Sequence, residues 1–200
     1  MANDAALALA IEGMKEIVPY AVSSKSGCDY DGSKFTMPFF NRVYIVHYPE
    51  VKIVEEGKAG PVAQYLEIIL LHYLLQSDGT PIADDWIAYR QLPGSSLFQR
   101  RFQQLVVSPL LQAIGDDMEA LRKAGEALGG VPMTRTGDVA FRFMALPRIP
   151  LGCVYYQGEE GIPSSVNILF DASAPNYLPT EDLTLLGVSL VSGLKKAKLV

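Results

Sequence analysis

Cysteine and histidine are scarce in this sequence, and their scarcity limits the chemistry that the chain can carry. The chain has two cysteines, Cys28 and Cys153, and two histidines. No CxxC pair occurs, so the cysteines do not predict a zinc or iron–sulfur site, and we expect free thiols in a reducing compartment. The motifs of nucleophile-elbow hydrolases, HExxH zinc proteases, Rossmann dehydrogenases and P-loop NTPases are also missing.

Long apolar runs and an excess of basic charge are absent as well. The longest apolar run, residues 68–75, is far too short to cross a bilayer and contains His72. A formal net charge of -5, from 17 basic and 22 acidic residues, argues against a nucleic-acid partner. Asp4 stands where a signal peptide would carry Lys or Arg. We therefore expect a cytoplasmic protein that binds neither membranes nor nucleic acids.

The strongest pattern present is a predicted helix over residues 65–75 with apolar side chains on every side. In a soluble protein such a helix is covered all round, so we expect it to form the centre of the core. Pro61 precedes it near the first turn, and Gly79 follows at a position suited to the left-handed residue just past a helix end. The rest of the chain is expected to pack around this central helix.

Alternating apolar and polar residues predict strands in two parts of the chain. The first part is a hairpin that turns near Asn41 and is extended by a short third strand. The second part is a three-stranded meander in the C-terminal third, and an extended segment lies between the two parts. The predicted strands cover residues 35–39, 43–48, 51–54, 86–92, 139–144, 151–156 and 166–171.

The predicted fold class is α+β, in a single domain over residues 1–200. One antiparallel sheet, made of the hairpin and the meander, is expected to pack on the central helix and on a helical middle segment that kinks near Ser108. Residues 1–22 are predicted to hold an N-terminal helix that stops at Pro19, and residues 34–200 the main body. The turn-forming residues of the loop at 23–33 could leave Cys28 exposed.

His72 is the residue of the central helix whose side chain could bind a metal. It lies one turn from Ile68 and from Gln76, where a ligand to an iron or cobalt centre could sit. The alternative is a core side chain that is hydrogen-bonded to a backbone carbonyl, which is the usual situation of a lone histidine on an apolar helix.

Three carboxylates and a tyrosine are predicted to lie together near the start of the last helix. Asp171 ends a strand, Tyr177 follows a turn that contains proline, and Glu181 and Asp182 open the helix. This group could hold a cation or orient a polar ligand. The alternative is structural: Glu181 and Asp182 complement the helix N-terminus, and Asp171 caps the turn.

Trp86 and Arg90 form a third candidate group. On an extended segment they point to the same face, where they could bind a flat anionic ligand by stacking and ion pairing. In the alternative, Trp86 is a core residue and Arg90 pairs with Asp84 or Asp85.

Three motifs in the sequence resemble those of an uncharacterised family of anaerobic bacteria and archaea, the domain of unknown function 3786. They are LLHYLL followed by DGTP, W-I-x-Y-R-x-L-P-G, and NILFDAS followed by YLPTEDL. The resemblance covers most of the chain and implies no activity. Some relatives resemble this domain fused behind a cysteine-rich iron–sulfur segment, which Cys28 alone cannot reproduce. Asn176 stands where many relatives are expected to carry His, which argues against a shared metal-binding histidine.

These observations favour an accessory or binding module of anaerobic metabolism, with a pocket or interface near Trp86, Arg90, Asp171 and Tyr177. The resemblance implies a metal or tetrapyrrole cofactor as the ligand class. Two alternatives remain open. One is an enzyme of unrecognised type that uses the three carboxylates, with or without a metal. The other is a structural partner subunit, which would present an exposed apolar patch.

Overall fold

The fold combines helices with two antiparallel sheets, in a computed structural model that describes residues 2–198, with side chains from residue 4 onward. The strands are β1 (Asp29–Tyr30), β2 (Lys34–Phe39), β3 (Arg42–His47), β4 (Lys52–Glu55), β5 (Trp86–Ala88), β6 (Val131–Pro132), β7 (Val139–Leu146), β8 (Ile149–Tyr156) and β9 (Ser165–Asp171). The first sheet has the order β1-β2-β3-β4, and the second has the order β5-β9-β8-β7-β6.

The α+β class is confirmed, with the difference that the hairpin and the meander belong to two sheets instead of one. The hairpin β2–β3 and the meander β7–β8–β9 form in the predicted order. The sheets meet where the Phe40 N–H donates to the Ala145 carbonyl at 3.1 Å, inside a register shift of β7 between Met144 and Leu146. The bulge belongs to the β7–β8 pairing, where Ala145 has no partner residue on β8, and its carbonyl accepts the bond from Phe40 instead.

A largely buried helix occupies the centre of the fold, as predicted, but it is not covered on every side, because Tyr65 and Gln76 are exposed. The helices are α1 (Ala2–Met14), α2 (Pro19–Ser26), α3 (Gln64–Gln76), α4 (Gln99–Phe102), α5 (Ser108–Ile114), α6 (Met118–Ala127) and α7 (Thr180–Lys198). Helices α1, α2 and α7 pack around α3. Its buried side chains are Leu66, Ile68, Ile69, Leu70, Leu71, Tyr73 and Leu74. Within residues 2–198, no helix has both the length and the apolar character needed to cross a membrane.

The N-terminal region differs from its prediction in two respects. Pro19 begins a second helix instead of ending the first, because a proline at the first helical position removes an N–H that would have no partner there. The expected loop at 23–33 is shortened by the end of α2 and by β1, and Cys28 is buried, at 1% exposure. Burial raises the pKa of its thiol to about 12. Cys28 and Cys153 are both free thiols.

The middle segment is more irregular than a simple series of helices. Strand β5 ends at Ala88, and short 3-10 turns follow at Tyr89–Gln91 and Ser95–Leu97, so the predicted extended segment is shorter than expected. Helix α4 continues into α5 through a π-helical stretch, Gln103–Val107. The kink predicted near the start of α5 therefore takes the form of a change in helix type.

The hydroxyl of Tyr73 links three separate parts of the chain at the centre of the core. It donates to the Ser26 carbonyl at 2.6 Å and accepts from the Arg148 N–H at 3.0 Å. Ser26 is the last residue of α2, and Arg148 lies in the turn between β7 and β8. The ring of Tyr73 is fully buried and stacks on the ring of Tyr177, with 5.7 Å between centroids. Tyr73 thus fixes the position of α3 relative to the end of α2 and to the β7–β8 turn of the second sheet.

We predict that Tyr73→Phe lowers the free energy of unfolding by about 2–3 kcal/mol, because it leaves a buried carbonyl and a partly buried N–H without their partner. The measurement is urea denaturation followed by circular dichroism. Tyr65→Phe on the same helix is the control, since Tyr65 is 39% exposed, and it should change stability by less than about 0.5 kcal/mol. Equal effects of the two substitutions would contradict the assignment.

Candidate functional site

Helices α3 and α7 bring together a histidine and a carboxylate that lie 110 residues apart in the sequence. His72 Nδ1 lies 2.6 Å from Asp182 Oδ2. The His72 side chain is 24% exposed and the Asp182 side chain only 7%. His72 is therefore neither deeply buried nor bonded to a backbone carbonyl, and its Nε2 has no hydrogen-bond partner in the described part of the chain.

The electrostatics of this pair favour a proton on the imidazole. The hydrogen bond that His72 donates to the Asp182 carboxylate raises the pKa of His72, and burial opposes that effect only in part. A carboxylate on Nδ1 also fixes the tautomer of the neutral ring, so that Nε2 carries the free lone pair. The pair can therefore hold a proton, accept one at Nε2, or bind a metal through Nε2.

The pair lies at one end of the seam between two antiparallel helices. Tyr65 on α3 and Ser189 on α7 each lie seven residues from a member of the pair, and both line the same surface hollow. Seven residues of helix correspond to about 10 Å. At the start of α7, the exposed Glu181 lies 3.4 Å from Arg101. Glu181 therefore pairs across the surface instead of joining His72.

Asp171 occupies a different position, where it organises a turn. It is fully buried, and it accepts hydrogen bonds from the backbone N–H groups of Ala83 at 3.0 Å, Asp84 at 2.8 Å and Ser173 at 2.9 Å, and from the Ser173 hydroxyl. Burial alone would raise the pKa of Asp171, but these donors outweigh it and lower the pKa. Asp171 therefore holds the segment before β5 against the turn after β9.

The predicted group of three carboxylates does not form a metal-binding cluster. Asp171 bonds to its own turn and to the segment before β5, Asp182 bonds to His72, and Glu181 faces Arg101. Across residues 2–198, no three His, Cys, Asp or Glu side chains lie close enough together to hold a metal ion. The sequence predicted a shared location because the residues are neighbours in the chain, but helical geometry points Glu181 and Asp182 in different directions.

Tyr177 is a core residue of the same region. Its hydroxyl donates to the Thr80 carbonyl, and its ring is fully buried against Tyr73. Burial raises the pKa of Tyr177, so the phenol stays protonated as a donor. Its role in the structure is to fix the segment between α3 and β5.

Trp86 and Arg90 lie on different elements, strand β5 and the 3-10 turn that follows it. Trp86 is half-buried and lies over Gly152, where an added Cβ would be 3.4 Å from the indole ring. Arg90 lies beyond the end of β5 in a 3-10 turn and is exposed, with its carbonyl bonded to the Ser95 hydroxyl. The predicted pocket between Trp86 and Arg90 required an extended chain, which ends at Ala88.

A surface groove that sequence reasoning missed surrounds the tip of the β2–β3 hairpin. We call it the hairpin-tip groove. It consists of three adjoining hollows that share Asn41 and Leu128 as lining residues. One signal in the sequence could have indicated it. The signal is a phenylalanine, Phe40, in a tight hairpin turn, where Gly, Asn or Asp is usual. In the structure Phe40 adopts φ +52°.

The hydrogen bonds of Asp171 predict a large loss of stability when its carboxylate is removed. Asp171→Ala should lower the free energy of unfolding by about 3–4 kcal/mol, because buried N–H donors lose their acceptor. Glu181→Ala is the control, and it should change stability by less than about 0.5 kcal/mol, because the side chain is exposed. Chemical denaturation of both variants tests this, and a mild effect of Asp171→Ala would contradict the structural role.

The His72–Asp182 pair predicts a pH-dependent contribution to stability. The pKa of His72 is raised in the folded state. The His72–Asp182 ion pair therefore contributes fully to stability below the unfolded-state pKa of about 6.5, and this contribution is lost as the pH rises through the folded-state pKa. The free energy of unfolding of wild type should therefore exceed that of His72→Gln at pH 5.5, and this difference should be about 1 kcal/mol larger at pH 5.5 than at pH 8.5. Denaturation across this range tests the prediction. In an Asp182→Asn background the pH dependence should disappear, and its persistence would contradict Asp182 as the cause.

Comparison with known proteins identifies the family but assigns no activity. Searches of curated proteins and of solved structures found no match. The family model described as domain of unknown function (DUF3786) matches residues 19–192, which include the segments that supply His72 and Asp182 and most of the hairpin-tip groove. The match begins at α2 and ends inside α7. The chain therefore belongs to the DUF3786 family.

Proposed function

We propose that the protein is a binding module in which His72 ligates a metal that arrives already held in an organic cofactor, a tetrapyrrole being the fitting class. The observation that supports this is the His72–Asp182 geometry. Nδ1 is fixed at 2.6 Å from a buried carboxylate, and Nε2 is free on a side chain that remains 24% exposed. We place this role in the cytoplasm of an anaerobe, where both cysteines stay reduced.

A single histidine suits a metal that brings its other ligands with it. A bare zinc ion takes three or four protein ligands, and residues 2–198 offer no such group. A metal in a macrocycle already has most of its ligands from the macrocycle, so one protein ligand can complete its binding, and histidine is a common choice for that ligand. When bound, such a cofactor would supply the redox or ligand-exchange chemistry of its metal. This chain would supply the imidazole of His72.

Asp182 would act as the partner that orients this imidazole. A carboxylate on the second ring nitrogen fixes the ring and increases the basicity of the ligating nitrogen. Asp182 is itself positioned by the first turn of α7, where a negative charge is favoured by the helix dipole. The His72–Asp182 pair is therefore preorganised for a ligand, because two packed helices hold both side chains.

Binding is favoured over catalysis by the way the carboxylates are used. Asp171 is occupied by four hydrogen bonds of a turn, and Asp182 by His72. The two carboxylates therefore do not form a pair that could act on one substrate. An accessory role, in which the protein holds or delivers a cofactor, fits a site with one ligand and one orienting group.

We predict that ferric protoporphyrin added to the purified protein binds at a one-to-one ratio with the Soret shift of imidazole ligation. His72→Ala should abolish that shift, and Asp182→Asn should weaken binding by about tenfold to a hundredfold. The matched control is His47→Ala, which removes the other imidazole, on strand β3, and should leave the spectrum unchanged. Circular dichroism checks that each variant is folded. The same shift in His72→Ala and wild type would overturn the proposal.

A further inference from the structure

We propose that the hairpin-tip groove is a second binding site, for a small organic anion with a flat apolar body. Its three hollows have volumes of about 60, 300 and 350 Å³ and meet around Asn41 and Leu128. Three cationic side chains line them, those of Arg42, Arg142 and Lys196. No Asp or Glu lines any of the three hollows, although the whole chain carries a net charge of -5.

The three cations have capacity left for a ligand. Lys196 makes no ion pair within the described residues. Arg42 lies 3.9 Å from Glu55 and donates a long bond of 3.5 Å to the Tyr44 hydroxyl. Arg142 lies 3.8 Å from Asp84 and 3.8 Å from the Met144 sulfur. The Nε of Arg142 is buried without a hydrogen-bond partner. A planar guanidinium with unused donors matches a carboxylate or sulfonate, which can accept two parallel hydrogen bonds.

The apolar lining of the groove indicates what kind of anion would fit. Phe40 and Leu128 lie beside Asn41, and Phe143 and Met144 form the side towards the second sheet. Met144 is 41% exposed. Ligand sites of this kind combine apolar walls with a few polar groups that set orientation. A flat apolar body against these side chains, with its acidic group towards the cations, satisfies both features, whereas inorganic phosphate would leave the apolar surface uncovered.

The backbone at the hairpin tip is a second and independent observation. Phe40 adopts φ +52°, a left-handed conformation that bulky residues rarely take and that costs on the order of 1 kcal/mol. The Phe40 N–H bond to the Ala145 carbonyl holds this conformation. A glycine or asparagine would suit the turn better, so the aromatic ring is kept at some expense in stability. Strain of this type is concentrated at ligand sites.

This site is separate from the one proposed at His72. The groove lies about 10 Å from His72 along the α3–α7 seam, at the level of Tyr65 and Ser189. His72 lines none of the three hollows. The two proposals can therefore fail independently: His72→Ala should leave the groove intact, and substitutions in the groove should leave the porphyrin spectrum unchanged.

The test uses anilinonaphthalene sulfonate, a fluorescent planar anion, added to the native protein. We expect saturable one-to-one binding that Arg42→Gln and Lys196→Gln each weaken by about fivefold to tenfold. Lys123→Gln is the matched control, because Lys123 is an exposed cation outside the groove, and it should bind as wild type does. Phe40→Asn, which tolerates the left-handed turn, should keep the thermal transition and weaken binding.

A neutral analogue, phenylnaphthylamine, separates the contribution of the negative charge from that of the apolar body. We expect it to bind at least tenfold more weakly than the sulfonate. Equal binding of the neutral probe, or equal losses in Lys123→Gln and Lys196→Gln, would overturn the proposal, because the groove cations would then have no specific role. Absence of saturable sulfonate binding to wild type would overturn it as well. His72→Ala with unchanged binding of the sulfonate would show that the result does not depend on the porphyrin site.

Discussion

The burial of most of α3 is the constraint on which the rest of this structure depends. A helix with apolar side chains around most of its circumference must be largely covered, so the chain packs the N-terminal helices, α7 and the turns of the second sheet around it. Tyr65 and His72 remain on its partly exposed side. Tyr73 carries the one hydroxyl of this helix that is fully enclosed, and it satisfies two backbone groups, the Ser26 carbonyl and the Arg148 N–H. The core is thereby closed without leaving these polar groups unpaired.

The same packing creates the candidate site. The first turns of α7 direct polar side chains inward. The Thr180 hydroxyl donates to the Pro93 carbonyl at 2.6 Å, Thr184 bonds to Tyr89 at 2.7 Å, and Asp182 meets His72. The first two bonds fix α7 against the segment after β5, and the third fixes it against α3. The orientation of His72 is therefore a consequence of how the core closes, and an imidazole held this firmly is suited to binding, because little conformational entropy is lost when a ligand arrives.

Local patterns predicted the elements well and the site poorly. The central helix, the hairpin and the meander follow from periodicity, which depends on neighbours in the chain. The division of the strands between two sheets depends on which strands pair, and the burial of Cys28 depends on packing between distant segments. Periodicity reports neither. The extended segment that was predicted to carry both Trp86 and Arg90 ends at Ala88, where a 3-10 turn follows. The carboxylate cluster failed because adjacent residues on a helix point apart.

The sequence by itself determined the α+β class, the helix at the centre and the identity of the residues with useful chemistry, His72 and Asp182 among them. Hydrophobic periodicity and turn chemistry are local properties, so they can be read along the chain. Only the tertiary structure decided that His72 pairs with Asp182, that Asp171 serves a turn, and that Arg42, Arg142 and Lys196 surround one groove. Those outcomes join residues far apart in sequence, and they depend on how the covering of one helix brings separate segments into contact.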